Sequence, residues 1–197
     1  MIRVLLLSGA AFLATVAAAA DIELLTVERD GKTLKVDSIL LIDAPRELVF
    51  NALTDYDAFA KLSERYKQSR FIEPAADGTP RIFTEVEGCI WFFCRTVERY
   101  ARLELFPENK IIATVEPEQS DVKSGREQWL LEDSGAGTRI TYAHTMQPDF
   151  WVPPVVGVWA MRRALEQDAL TAAAKIEALA LGQEVIAGDK KLTEDLQ

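Results

Sequence analysis

Histidine and cysteine are scarce in this sequence, which has one histidine and two cysteines among its 197 residues. His144, Cys89 and Cys94 together offer at most three soft ligands, so the sequence does not predict a zinc site. It also contains neither a G-x-S-x-G nor an H-E-x-x-H motif, the local patterns of serine hydrolases and zinc peptidases. These absences exclude the common hydrolase patterns, and we expect no metal and no cofactor.

Basic residues are in the minority, with 22 Lys and Arg against 31 Asp and Glu and a formal net charge of -9. A surface with this excess of negative charge repels phosphate backbones, so we do not expect nucleic acid as a partner. A composition of 49% hydrophobic and 27% charged residues is typical of a packed globular chain. The length fits one domain.

Long apolar runs are missing except at the start of the chain. There Arg3 is followed by an Ala-rich apolar run over 4–20 and then by acidic Asp21. A basic start, an apolar middle and a small-residue exit are typical of a secretory signal, and Ala18 and Ala20 fit its A-x-A cleavage rule. We expect cleavage near Ala20 and a periplasmic or secreted protein. An uncleaved membrane anchor is the alternative.

An oxidising compartment would allow Cys89 and Cys94 to form a disulfide. On one extended strand their Cα atoms would lie roughly 16 Å apart, well beyond the roughly 4.4 to 6.8 Å that a disulfide spans. If they are bonded, they must therefore flank a reversal of the chain, with Ile90–Phe93 as the end of a hairpin. Two free buried thiols are the alternative.

The hairpin end between the cysteines is unusually apolar. Its residues, which we call the tip, are Ile90, Trp91, Phe92 and Phe93. Four large apolar side chains at a turn are unfavourable in water, so we expect them either to be covered by the protein or to serve in a contact. Three interpretations stay open: a lid over a cavity entrance, a contact with a membrane surface, and packing on the sheet's own helices.

Apolar periodicity indicates one strand and two short helices, followed by six strands and a long helix. The helices begin at Pro45 and after Asp55 or Asp57, and the long helix runs from Pro153-Pro154 to about Leu181. Short connections between the later strands require antiparallel neighbours. The predicted strands are Thr33–Ile42, Gln68–Glu73, Thr79–Glu87, Arg95–Phe106, Lys110–Glu116, Arg126–Glu132 and Thr138–Met146.

The long helix has one apolar face with small residues in its middle. Small residues there either bring the helix close to the sheet or leave a void beneath it. The residues of that face are Val158, Met161, Leu165, Ala169, Ala172, Ile176 and Leu179.

This order of elements indicates an α+β fold in which a curved sheet grips the last helix. The sequence from Val36 to Tyr56 resembles the N-terminal part of the START-like, or Bet v 1-like, superfamily (SRPBCC). The resemblance is carried by Ile42-Asp43-Ala44-Pro45 and Leu53-Thr54-Asp55-Tyr56. Within this superfamily, the chain resembles the polyketide-cyclase/dehydrase and coenzyme-Q-binding branch over Val36–Leu181. The resemblance implies a helix-grip fold, with a curved antiparallel sheet of about seven strands around a long C-terminal helix and two short helices after strand 1. The expected domain is 21–182, followed by a polar tail at 183–197.

The resemblance also implies an apolar cavity between the sheet and the long helix. Strand and helix periodicity then nominates residues to line it, although a plain filled core is the alternative for each. Arg99 is expected either to face inward, where it would hold a carboxylate or phosphate headgroup, or to be a solvated edge charge. The candidate ligand-binding residues are Trp129, Leu131, Ile140, Tyr142, His144, Trp159, Met161, Leu165 and Arg99.

Three hypotheses for function follow. The leading one is an exported carrier of a hydrophobic small molecule, such as a lipid, a quinone or a polyketide-like compound. The second is a cyclase/dehydratase-type enzyme in which His144 is the acid/base, against the alternative of an inert structural imidazole. The third is an envelope module that contacts a protein or a membrane through the tip. Oligomeric state is left open.

Overall fold

The computed structural model describes residues 20–90, 93–152 and 156–182, and the side chains of Ile90, Phe93 and Val156 are left aside. The predicted signal peptide, except Ala20, lies outside the described residues, as do Trp91 and Phe92 of the tip, Pro153-Pro154 and the whole predicted tail. The strands are β1 (Asp21–Asp30), β2 (Thr33–Ile42), β3 (Tyr66–Ile72), β4 (Arg81–Ile90), β5 (Phe93–Phe106), β6 (Lys110–Val115), β7 (Val122–Ser134) and β8 (Gly137–Pro148). The helices are α1 (Arg46–Thr54), α2 (Phe59–Leu62) and α3 (Val156–Ala180).

All eight strands form one antiparallel sheet in the order β1-β2-β8-β7-β6-β5-β4-β3. Consecutive strands β2 and β3 therefore lie far apart in the sheet, and α1 and α2 make the connection between them. The long helix α3 contacts β1 and β2 near one edge of the sheet and β4 near the other. The sheet must therefore curve around α3, which confirms the predicted helix-grip fold.

The packed core lies at the C-terminal half of α3. Ala173 and Ile176 of that half are fully buried against side chains from α1, α2 and the concave face of the sheet. The sheet side chains come from alternate positions along each strand, because successive side chains point to opposite faces. They include Ile82, Ala101, Leu103, Ile111, Ala113, Leu131 and Ile140.

The strand β1 is additional to the seven strands that the sequence predicts, so the two short helices follow the second strand. It is an edge strand whose residues are at most partly buried. A register shift between Ile22 and Leu24 also breaks its alternation of polar and apolar residues. Both features weaken the period-two pattern that marks a half-buried strand. The turn at Gly31, with a φ of 60°, joins β1 to β2.

One residue of the predicted apolar face of α3, at its C-terminal end, is displaced from the interior. Leu179 is 42% exposed near the end of the helix. Of the predicted face, Ala172 is partly buried and Ile176 is buried, and Ala173 beside them is buried as well. Within the described ranges, no helix is both long and apolar enough to cross a membrane.

Candidate ligand cavity

A cavity of about 600 Å³ lies between the sheet and the N-terminal half of α3. It exists because Gly157, Ala160 and Ala164 face the sheet there, and these side chains are too small to fill the space beneath the helix. Asp168 marks the last turn of α3 that lines the cavity, and the packed core takes over from Ala172 onward. Small residues on this helix therefore leave a void in its first half and allow close packing in its second half.

The mouth of the cavity lies where the β4–β5 hairpin approaches the segment that precedes α3. Cys89, Cys94 and Arg95 from the hairpin are exposed there, and Phe150 and Trp151 approach from the other side. The Arg95 guanidinium carbon lies 4.4 Å from the centre of the Phe150 ring, a cation–π distance. Trp151 is 77% exposed. The cavity therefore opens beside Cys89 and Cys94.

Cys89 and Cys94 form a disulfide and are directly opposite each other across the hairpin, with their Cα atoms 4.0 Å apart. The predicted chain reversal between them is confirmed, although the ladder continues one pair further, to Ile90 and Phe93. The Glu87 carboxylate is within 4.8 Å of both sulfur atoms. Bonded sulfurs are not thiolates, so this group is not suited to hold a metal ion. The role of the tip stays a prediction.

A charged cluster lies in the cavity wall on the sheet side. Glu127 of β7 pairs in register with His144 of β8, so their side chains share the concave face. Arg99 reaches Glu127 from β5, across the intervening strand β6, where the residue paired with Glu127 is Ala113. The Arg99 Nη1 atom donates a hydrogen bond to Glu127 Oε1. The His144 Nε2 atom lies 3.5 Å from the same oxygen. We call Arg99, Glu127 and His144 the buried triad.

The electrostatics of the buried triad follow from its burial, since Arg99 is 7% and Glu127 4% exposed. Burial acts to raise the pKa of the Glu127 carboxyl, but the charge of Arg99, the influence of His144 and the hydrogen bond from Arg99 together outweigh it, so the pKa is lowered. Desolvation acts to lower the pKa of Arg99, but Glu127 together with Tyr66 and Tyr142 outweighs it, so the pKa is raised. Burial lowers the pKa of His144 despite the nearby carboxylate. The triad is therefore an ion pair beside a neutral imidazole at neutral pH.

Further polar groups line the wall around the buried triad. Burial raises the pKa of the Tyr66 phenol and that of the Tyr142 phenol, so both stay protonated at neutral pH. Ser63 Oγ donates a hydrogen bond of 2.6 Å to Asp168 Oδ1. Burial raises the pKa of the Asp168 carboxyl. Arg65 and Glu87 also line the cavity. The remaining walls are mainly aliphatic and aromatic, including Leu34, Val36, Val86, Val97, Met146, Met161 and Leu165.

The structure separates the nine candidate ligand-binding residues into two groups. Five line the cavity: Arg99, Tyr142, His144, Met161 and Leu165. The other four do not line it. Leu131 and Ile140 belong to the packed core, Trp129 packs against that core, and Trp159 is 60% exposed on α3. Leu131 and Ile140 do point to the concave face of the sheet, as strand periodicity predicts. They lie further along their strands than the cavity, where α1 and α2 fill the space.

The sequence-based prediction missed Glu127, although a signal for it was present. Glu127 lies two and four residues before Trp129 and Leu131, so strand periodicity places it on the same inward face. Its position also decides between the two expectations for Arg99. The guanidinium faces inward and is not a solvated edge charge, and it pairs with Glu127. Its role toward a headgroup stays a prediction.

The fold and the cavity together define a helix-grip protein with an internal ligand chamber. A family model described as "Polyketide cyclase / dehydrase and lipid transport" matches residues 33–180. The chain belongs to this family, within the START-like superfamily. Among curated proteins, none matches the sequence of this chain significantly.

Three solved structures illustrate the likeness in fold. A START superfamily protein from Mycobacterium smegmatis is 18% identical with a TM-score of 0.61, and the match covers 74% of this chain and 98% of that one. The Zhui aromatase/cyclase from Streptomyces sp. R1128 is 15% identical with a TM-score of 0.59, covering 77% and 99%. A STAR-related lipid transfer protein from Xanthomonas axonopodis is 13% identical with a TM-score of 0.57, covering 77% and 98%. At these identities the likeness extends to the fold alone.

Proposed function

We propose that this protein is an exported carrier of a hydrophobic small molecule, which it holds in the cavity beneath α3. The observation that carries the proposal is the cavity itself, about 600 Å³ of space with mainly apolar walls. This volume lies within the usual range for small-molecule sites. A guest that buries about 300 Å² of apolar surface would gain roughly 7 kcal/mol before ordering costs. Binding of this kind requires no metal and no nucleotide.

Carriage of a lipid, quinone or polyketide-like molecule agrees with the family to which the chain belongs. The neighbours differ in function, since one is named an aromatase/cyclase and another a lipid transfer protein. Two features support export. The first is the signal-like sequence over 1–20. The second is the exposed Cys89–Cys94 disulfide, a bond that persists in oxidising compartments.

The proposal is tested by native mass spectrometry of the purified protein together with titration of a fluorescent apolar probe. The wild type should carry one guest, either co-purified or added. Ala164→Trp places an indole in the cavity and should abolish binding. Ala174 is an exposed alanine on the same helix, so Ala174→Trp is a matched control that should bind like the wild type. Equal binding by both variants would show that guests attach elsewhere.

A second candidate function is catalysis of a cyclisation or dehydration in the same cavity. The observation that favours it is the position of His144 Nε2, 3.5 Å from Glu127 Oε1, because a carboxylate beside an imidazole stabilises the protonated form that arises when the ring takes up a proton. The lowered pKa of His144 keeps the imidazole available as a base at neutral pH. In an enzyme of this kind, His144→Ala should abolish turnover of a poly-β-ketone thioester while probe binding persists. Turnover unaffected by this change would exclude His144 as the acid/base.

A further inference from the structure

The Arg99 side chain has far more hydrogen-bond donors than the protein uses. A guanidinium carries five N–H donors in a fixed plane. Within the described ranges, its side-chain hydrogen bonding is limited to the contact from Nη1 to Glu127. The Nε atom is fully buried without a partner. Buried donors are normally satisfied. Nε is enclosed by protein, but Arg99 lines the cavity, so its terminal nitrogens are the donors available to an acceptor on a guest.

The positive charge of Arg99, unlike its unused hydrogen-bond donors, is already neutralised by the Glu127 carboxylate. Glu127 lies against it and is itself 4% exposed. His144, the third member of the buried triad, stays neutral and adds no positive charge. A guest carboxylate or phosphate at this end of the cavity would lie near the Glu127 carboxylate in a poorly solvated site. Like charges repel strongly where water cannot screen them.

From this geometry we infer the chemical class of the guest: an apolar molecule with an uncharged acceptor oxygen, such as a ketone, quinone or ester carbonyl, that receives hydrogen bonds from Arg99. Anionic amphiphiles are rejected at this position as long as Glu127 is ionised. Glu127 thus sets specificity indirectly, by cancelling the charge of the residue that contacts the guest. The inference rests on the proposed function, since it concerns the guest of the same cavity.

The experiment compares three fluorescent guests of nearly equal shape at about pH 8. They are 2-acetylanthracene, which has a neutral carbonyl, 2-ethylanthracene, which has no acceptor, and anthracene-2-carboxylate. A hydrogen bond to a charged donor is worth about tenfold or more in affinity. We expect the ketone to bind at least about tenfold more tightly than the hydrocarbon and than the carboxylate.

Two variants test whether the buried triad causes this order of guest affinities. Arg99→Met should bring the ketone and the hydrocarbon to within about threefold of each other. Glu127→Gln should improve binding of the carboxylate by about tenfold or more, because it leaves the guanidinium charge unmatched. Arg102 lies on the same strand and pairs with exposed Asp77, so Arg102→Met is the control and should preserve the wild-type order. If a single variant does not fold, the double variant Arg99→Met with Glu127→Leu replaces it, and the ketone should again lose its advantage.

The results of these binding experiments distinguish failure of the inference about the guest from failure of the proposed carrier function. A carboxylate that binds the wild type as tightly as the ketone overturns the inference but leaves the carrier function intact. The same holds if all three guests bind equally, or if the order survives Arg99→Met. If none of the three binds the wild type, the proposed function fails together with the inference.

Discussion

The buried ion pair of Arg99 and Glu127 makes a quantitative prediction for stability. Removing one partner leaves the other as an uncompensated charge in the interior, which typically costs about 3 to 5 kcal/mol. Glu127→Leu and Arg99→Met should each destabilise the protein by this amount, because both side chains are more than nine-tenths buried. A small domain has roughly 5 to 15 kcal/mol of stability in total. Each single variant is therefore expected to be marginally stable.

The double variant should behave differently from the sum of the two single variants. Replacing both charges by apolar side chains of similar size removes the desolvation cost as well as the attraction, and is often neutral or stabilising. We expect the double variant to lie within about 1 kcal/mol of the wild type, or above it. The double-mutant cycle then has a coupling free energy of about 5 kcal/mol or more, the difference between the summed single losses and the loss in the double variant.

The assay is equilibrium unfolding in urea, followed by tryptophan fluorescence at about pH 7.5 for the four proteins of the cycle. Arg102→Met again provides a control, because its pair with Asp77 is largely exposed. Exposed pairs contribute at most about 1 kcal/mol. Additive losses in the double variant would refute the description of Arg99 and Glu127 as a mutually compensating buried pair.

Three further predictions concern the rest of the molecule. Replacing Cys89 and Cys94 together by serine should lower the free energy of unfolding by about 2 kcal/mol, since the bond closes only a short loop with a sequence separation of 5; a reductant should then have no further effect. The folded-state pKa of His144 is lowered from 6.5, so the unfolded state takes up the proton first, and stability should decrease as the pH falls below 6.5. His144→Phe should flatten this part of the urea-denaturation profile, and an unchanged slope would contradict the assignment. Gly137→Ala should be strongly destabilising in thermal melts, because an added Cβ would lie 2.4 Å from the Ile42 carbonyl oxygen, whereas Gly88→Ala meets no atom within 4 Å.

Much of the fold follows from sequence because its elements carry strong periodic patterns. In β2, Leu34, Val36 and Ile42 are buried, and α1 begins at Arg46, one residue after the predicted start at Pro45. The edge strand β1 was not predicted, because it buries little side-chain surface and its pairing register shifts near its start. An edge strand with one poorly covered face has no clean alternation for sequence analysis to detect.

The candidate site was only partly predictable, for a physical reason. Periodicity assigns a residue to one face of a strand, but it does not say how far along that face the packed core ends. Ile140 and His144 share a face of β8, yet the first lies in the core and the second in the cavity wall. Pairing between Arg99 and Glu127 is also invisible in sequence, because their strands are separated by β6 in the sheet. The role of Glu127 emerges only from that contact.

The most direct test of the carrier function is a crystal structure of the protein grown with 2-acetylanthracene. The account predicts density for the aromatic rings between the sheet and the first half of α3, with the ketone oxygen within hydrogen-bonding distance of the Arg99 guanidinium. A guest bound on the outer surface, with the space beneath Ala160 and Ala164 closed by side chains, would contradict it.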